Sequence, residues 1–146
     1  MEPRDTHPDM SRSERVGRYA EVASALALRS DRQPGESLER ARVLGSGIGG
    51  TSVLLTVDGV PVFAKRIPLT DLERRADNVM STANLFGVPP FCQYGLVEVA
   101  GPGFGAWREL AAGVMTTNWV LAGRSAAFPL LYHWRTSPAL RRPWPR

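Results

Sequence analysis

Gly45-Ser46-Gly47-Ile48-Gly49-Gly50 places glycines at 45, 47 and 50 in a G-x-G-x-x-G spacing. Glycines so spaced let a backbone bring its N–H groups against phosphate oxygens with no side chain in the way. Fifteen residues after the last of them comes Lys65, the one lysine among 18 basic residues. The rest are arginine, and with abundant Ala, Gly and Pro this skew reads as GC-rich coding, which makes the arginines weak evidence for nucleic-acid binding. A composition that suppresses lysine and still keeps one points to a use for a compact ammonium. The glycines alone do not select a fold. A dinucleotide-binding loop must open a helix whose N-terminus faces the pyrophosphate, but β-branched Thr51-Ser52-Val53-Leu54-Leu55-Thr56-Val57 follows here. A P-loop ends in Gly-Lys-Ser/Thr, and Gly50-Thr51-Ser52 lacks the lysine.

The elements around these residues narrow the choice. Thr51–Val57 and Val60–Ile67 are two β-rich runs joined by Asp58-Gly59, a pair that tolerates positive φ and closes an antiparallel hairpin. Leu38–Leu44 reads as a strand leading into the glycines. Upstream, Ser11 and Glu14 form a capping box for a helix over 13–30, with Val16, Tyr19, Ala20, Ala23, Leu26 and Ala27 on one face, ended before Pro34-Gly35. A second capping box, Thr70 and Glu73, predicts a helix carrying Leu72, Ala76, Val79, Met80 and Ala83, stopped by Gly87 and Pro89-Pro90. A strand is expected at Tyr94–Ala100. A third helix is expected over 106–122, with Trp107, Leu110, Ala111, Val114 and Leu121 on one side and Gly123 as its stop. Phe128–Arg135 reads as one or two short strands. The expected class is α+β, with an antiparallel sheet of about five strands, packed helices and an extra N-terminal helix.

Strand, glycines, strand, tight turn, strand with a lysine on it: this order resembles the N-terminal lobe of a protein-kinase-like domain. Val62-Phe63-Ala64-Lys65 resembles that family's V-A-I-K. The resemblance implies that Gly45, Gly47 and Gly50 cover the phosphates of ATP, that Lys65 contacts them, and that a helical glutamate orients Lys65. Two glutamates compete for that role. Glu73 lies close to the end of the lysine's strand, whereas Glu109, in Trp107-Arg108-Glu109-Leu110, has the better helical setting and is preferred. Accepting Glu109 makes 71–104 an insertion. The family's valine two residues after the third glycine is Ser52 here, with Val53 one place later.

The family's transfer step also needs a catalytic aspartate and metal-holding Asn and Asp residues. The last aspartate is Asp77, the last acidic residue is Glu109, and neither His-Arg-Asp nor Asp-Phe-Gly occurs. The expectation is an ATP-binding lobe that is inactive alone, takes Mg-ATP weakly, and ends where an interlobe hinge would begin. The alternative is a non-catalytic interaction or regulatory module of the same fold, with another protein as partner. A basic nucleic-acid-binding protein ranks last.

The chain as a whole sets the frame. Its 146 residues carry 43% hydrophobic and 22% charged residues with a net charge of +4, which suits one globular unit. The expected divisions are a disordered stretch 1–12, a helix and linker 13–36, a kinase-like lobe 37–135, and a disordered Arg/Pro-rich tail 136–146. A single cysteine, Cys92, excludes an internal disulfide; beside Phe91 it is expected to be buried. His7 and His133 suggest no metal motif, and Trp107, Trp119, Phe128 and Trp134 read as core or lobe-packing aromatics and not as a base-stacking platform. The acidic residues Glu2, Asp5 and Asp9 interrupt any signal-peptide core. No apolar run approaches the ~20 residues of a membrane span. A cytoplasmic protein is therefore expected.

Overall fold

The structure, a computed structural model, describes residues 10–30, 32–47, 50–89 and 105–136. The elements in order are α1 (Arg12–Ala27), α2 (Arg32–Arg40), β1 (Arg42–Gly47), β2 (Gly50–Val57), β3 (Val60–Arg66), a 3₁₀ turn at Ala76–Asn78 and α3 (Ala106–Leu121). The class is α+β, with an antiparallel three-stranded sheet in the order β1-β2-β3. Five strands are not seen: 128–135 carries no strand, and 94–100 lies outside the described residues, as do Cys92 and the tail beyond Thr136.

Both hairpin strands close as the turn residues dictate. Asp58 at φ 48° and Gly59 at φ 83° form the left-handed pair that matches the twist of the strands, and Val57 pairs with Val60. β2 then presents Val53, Leu55 and Val57 to one face, opposite Ala64, Val62 and Val60 of β3. On that face α1 packs. Val22, Val57 and Val62 are buried together, with Ala25, Leu26, Leu55, Val60 and Tyr132 against them. The expected α1 face omitted Val22 and included Ala20 and Ala27, which are exposed. The small alanines left the stripe's centre ambiguous, and the sheet's valines fixed it at Val22.

Three expectations are corrected. Leu38–Arg40 belongs to α2, and the strand starts at Arg42. Pro34 lies in the first turn of α2, where its missing N–H has no helical partner to lose, so Pro34-Gly35 does not mark a linker. Second, the capping box at Thr70 forms: the Thr70 N–H and hydroxyl donate to Glu73 Oε2 at 2.9 and 2.8 Å, and the Glu73 N–H donates to Thr70 Oγ1 at 3.2 Å. No α-helix follows it. One turn gives way to the 3₁₀ turn, Asn78 Nδ2 donates to the Leu72 carbonyl at 2.9 Å, and Met80 adopts φ 62°. A side-chain amide thereby takes over a carbonyl that a helix would use. Third, α3 buries Ala106, Trp107, Thr117 and Val120, while Val114 is exposed. Its end follows expectation. The Gly123 N–H donates to the Val120 carbonyl and the Arg124 N–H to that of Trp119, with Gly123 at φ 73°, a Schellman motif.

Residues 125–135 fasten α1 to α3 without regular structure. Arg15 donates to the carbonyls of Ala126 and Phe128, each at 2.7 Å, and the Leu131 N–H donates to Thr117 Oγ1 at 2.8 Å. Tyr19 stacks on Tyr132, and Trp107 meets Trp134 edge-on. Arg135 reaches back to the carbonyls of Leu26 and Arg29 while its Nε donates to His133 Nε2. His133 is therefore held neutral: burial, and then the adjacent Arg135 charge, lower its pKa from 6.5. Because the unfolded chain takes up that proton more readily, the contribution is intact above pH 6.5 and declines as pH falls below it. Chemical denaturation from pH 7.5 to 5 is expected to show this loss, and His133→Gln to flatten it. An identical slope in the variant refutes the assignment.

Candidate functional site

Lys65 sits one residue from the end of β3, and its Nζ donates to Glu109 Oε1 at 2.6 Å. Glu109 occupies the first turn of α3, so an ion pair 44 residues apart in sequence joins the sheet to the helix. The two side chains are 32% and 44% exposed. A pair so open to water contributes at most about 1 kcal/mol, and it cannot be what holds α3 in place. Of the two candidate glutamates, Glu109 meets the lysine. Glu73 is fully buried and turned to another task.

The glycines come to the same sheet face through a bulge. Arg42 pairs with Leu54 and Val43 with Val53, but Gly45 pairs with Ser52, which leaves Leu44 as an extra residue. An inserted residue reverses the in–out alternation beyond it. Gly45 and Gly47, opposite Ser52 and Gly50, therefore lie on one face with Ser52, and Ser52 pairs with Lys65. Gly45, Ser52 and Lys65 form one rung across all three strands. Ser46 falls on the opposite face, where its hydroxyl lies 2.8 Å from that of Thr51.

The glycines are not equivalent. Gly50 has φ +112°, and a Cβ there would overlap the Arg66 carbonyl oxygen, so backbone geometry alone requires glycine. Gly45 and Gly47 have open space where a Cβ would stand and no left-handed φ. Glycine inside a strand is unfavourable, and no feature of the fold demands it at these two positions. Their bare backbone lies beside the lysine's rung and open to solvent.

Leu54 and Phe63, a cross-strand pair, occupy the next rung of that face and are 37% and 62% exposed. The assembled surface therefore carries an anchored ammonium, two bare glycines on the edge strand, and an apolar step beside them, with Arg42 of β1 opposite Leu54. It can take an anion at one end and an apolar ring at the other. Of the three ammonium protons, Glu109 is the partner for one among the described residues. No group of three His, Cys, Asp or Glu residues among those described could hold a metal ion.

The sequence reading named Ser52 without placing it beside Lys65, and it missed the bulge at Leu44 and the Leu54–Phe63 step. The excess residue between Val43 and Gly45 carries no local signature, since strand pairing alone reveals it. The role of Glu73 was missed as well. A capping box followed by Asp77-Asn78, both turn-prone, was the available sign that the box served something other than its own helix. Comparisons with protein-family models, curated proteins and solved structures find no match, so the chemistry of this face is read from its own residues.

Proposed function

We propose that β1, β2, β3 and α3 form the phosphate-binding half of a protein-kinase-like ATP site, which holds nucleotide without transferring its γ-phosphoryl group by itself. The observation that carries this reading is the 2.6 Å pair between Lys65 and Glu109. A carboxylate fixes the ammonium on its strand, and the two remaining donors are available to phosphate oxygens. Gly45 and Gly47 support the reading, because side chains are missing where a phosphate would approach the backbone and where folding does not require their absence. Leu54 and Phe63 offer the apolar contact that a base takes.

The described residues fit the phosphates better than they fit the magnesium. Among the described residues no carboxylate cluster is present to hold the metal ion that a migrating phosphoryl group needs, and no transfer step is assigned to them. The exposure of Phe63 favours a second reading, in which the same face docks another protein and no nucleotide is involved.

Thermal unfolding with increasing Mg-ATP separates the two. Stabilisation is expected at millimolar nucleotide. Lys65→Met is expected to weaken binding by roughly tenfold, the effect of losing one charge-assisted contact, and to leave the unliganded protein within about 1 kcal/mol of the parent. No stabilisation by ATP, or equal stabilisation of parent and variant, transfers support to the docking reading.

A further inference from the structure

We infer that the buried carboxylate of Glu73 is a positioning residue, which sets α3 at the height where Glu109 can reach Lys65. Glu73 has no exposed surface. Its Oε2 accepts from the Thr70 N–H and hydroxyl, five residues beyond Lys65 along the chain. Its Oε1 accepts from the Ala106 N–H at 2.6 Å, and its main-chain carbonyl accepts from Trp107 Nε1 at 2.9 Å. α3 has no side-chain cap of its own, because Gly105 stands at the N-cap position. The first free N–H of the helix is satisfied by a carboxylate supplied from 33 residues earlier, a placement that the helix dipole favours.

The consequence for the site is geometric. Thr70 follows β3 by four residues and Ala106 precedes Glu109 by three. One carboxylate therefore ties the lysine's strand to the first turn of the glutamate's helix. From Ala106 to Glu109 the helix rises only about 4.5 Å, so a displacement of its N-terminus is carried almost undiminished to Glu109. A shift on the order of 1 Å takes a contact of this length out of hydrogen-bond range. Gly105 fits the same scheme. A Cβ there would stand 3.0 Å from Glu73 Oε1 and 3.5 Å from the Phe86 ring, so glycine lets the carboxylate come up to the helix end.

The inference deepens the nucleotide reading of this face, yet its primary test needs no nucleotide. Lys65 is the sole lysine, so a protein labelled with ¹⁵N-lysine gives one side-chain ammonium signal. Glu109→Gln defines where that signal lies when the pair is broken. Glu73→Gln keeps the shape but, whichever way the amide turns, sets its donor against a backbone N–H, that of Ala106 at one oxygen position or that of Thr70 at the other, and it is expected to move the Lys65 signal most of the way to the Glu109→Gln position. A folded Glu73→Gln protein with the parent signal overturns the inference and leaves Glu73 a purely structural cap. Should Glu73→Gln not fold, Thr70→Val, which removes the hydroxyl's bond to the carboxylate and the bond that hydroxyl accepts from the Glu73 N–H, is expected to move the signal part of the way; no movement overturns the inference equally. ATP titration of the same proteins is a separate readout. Failure of the parent to bind ATP refutes the nucleotide reading and leaves the Lys65 result standing, whereas parallel weakening in Glu73→Gln and Glu109→Gln supports both.

Discussion

Gly50→Ala is expected to be the most damaging single-methyl addition on the sheet, with a loss of about 3–5 kcal/mol of stability, in the range that marks a backbone collision. Two costs coincide at this position. The residue sits at φ +112°, a conformation that L side chains rarely adopt, and the added Cβ would collide with the Arg66 carbonyl oxygen and crowd its carbon at 3.0 Å. Neither neighbour is a flexible side-chain tip, so the backbones must separate, and with them the pairing of Thr51 with Arg66. Thermal and urea unfolding check the expectation, with a Tm lowered by more than about 10 °C. Gly45→Ala and Gly47→Ala are the controls. Both have room for a methyl group, and each is expected to stay within about 1 kcal/mol of the parent while weakening any ATP-dependent stabilisation. Equal damage at all three positions would mean that the glycines serve folding alone.

Glu73→Ala is the second large effect, expected to cost about 3–5 kcal/mol in urea unfolding at neutral pH. The residue is wholly buried, and its carboxylate is the acceptor for the Thr70 N–H, the Thr70 hydroxyl and the Ala106 N–H. Removing one partner of a buried charged cluster leaves donors that neither water nor protein satisfies. The helix terminus also loses the carboxylate that accepts from its Ala106 N–H. Glu109→Gln, on the same helix but 44% exposed in its side chain, is expected to change stability by less than about 1 kcal/mol. The contrast assigns the two glutamates different work: one holds the helix, and the other uses where it is held. A loss below 1 kcal/mol for Glu73→Ala would show that packing around Trp107 alone fixes α3.

Much of the local structure was legible because its causes are local. Asp58-Gly59 closes its hairpin on backbone sterics, Ser11 and Glu14 form their capping box, and Gly123 ends α3 at the position a left-handed residue must take. The sequence also singled out Lys65 and preferred Glu109 as its partner, and the two side chains meet at 2.6 Å. The weaker readings were those in which one local signal had two possible consumers. Thr70 and Glu73 make the hydrogen bonds of a helix start, but the second carboxylate oxygen belongs to α3, and Asn78 breaks the turn that would have continued. Pro34-Gly35 resembled punctuation and proved to lie within the first turns of α2.

By themselves the residues determined which groups carry candidate chemistry and how the Asp58-Gly59 and Gly123 turns must close, since residue type and φ preference are properties of the chain. Only the tertiary structure decided which face those groups share. The extra residue at Leu44 reverses the alternation of β1 and brings Gly45 and Gly47 to the side of Lys65. Glu73, far from Glu109 in sequence, sets the helix that carries it. Strand register depends on the partner strand, and helix placement on a carboxylate 33 residues away; no pattern within one element encodes either.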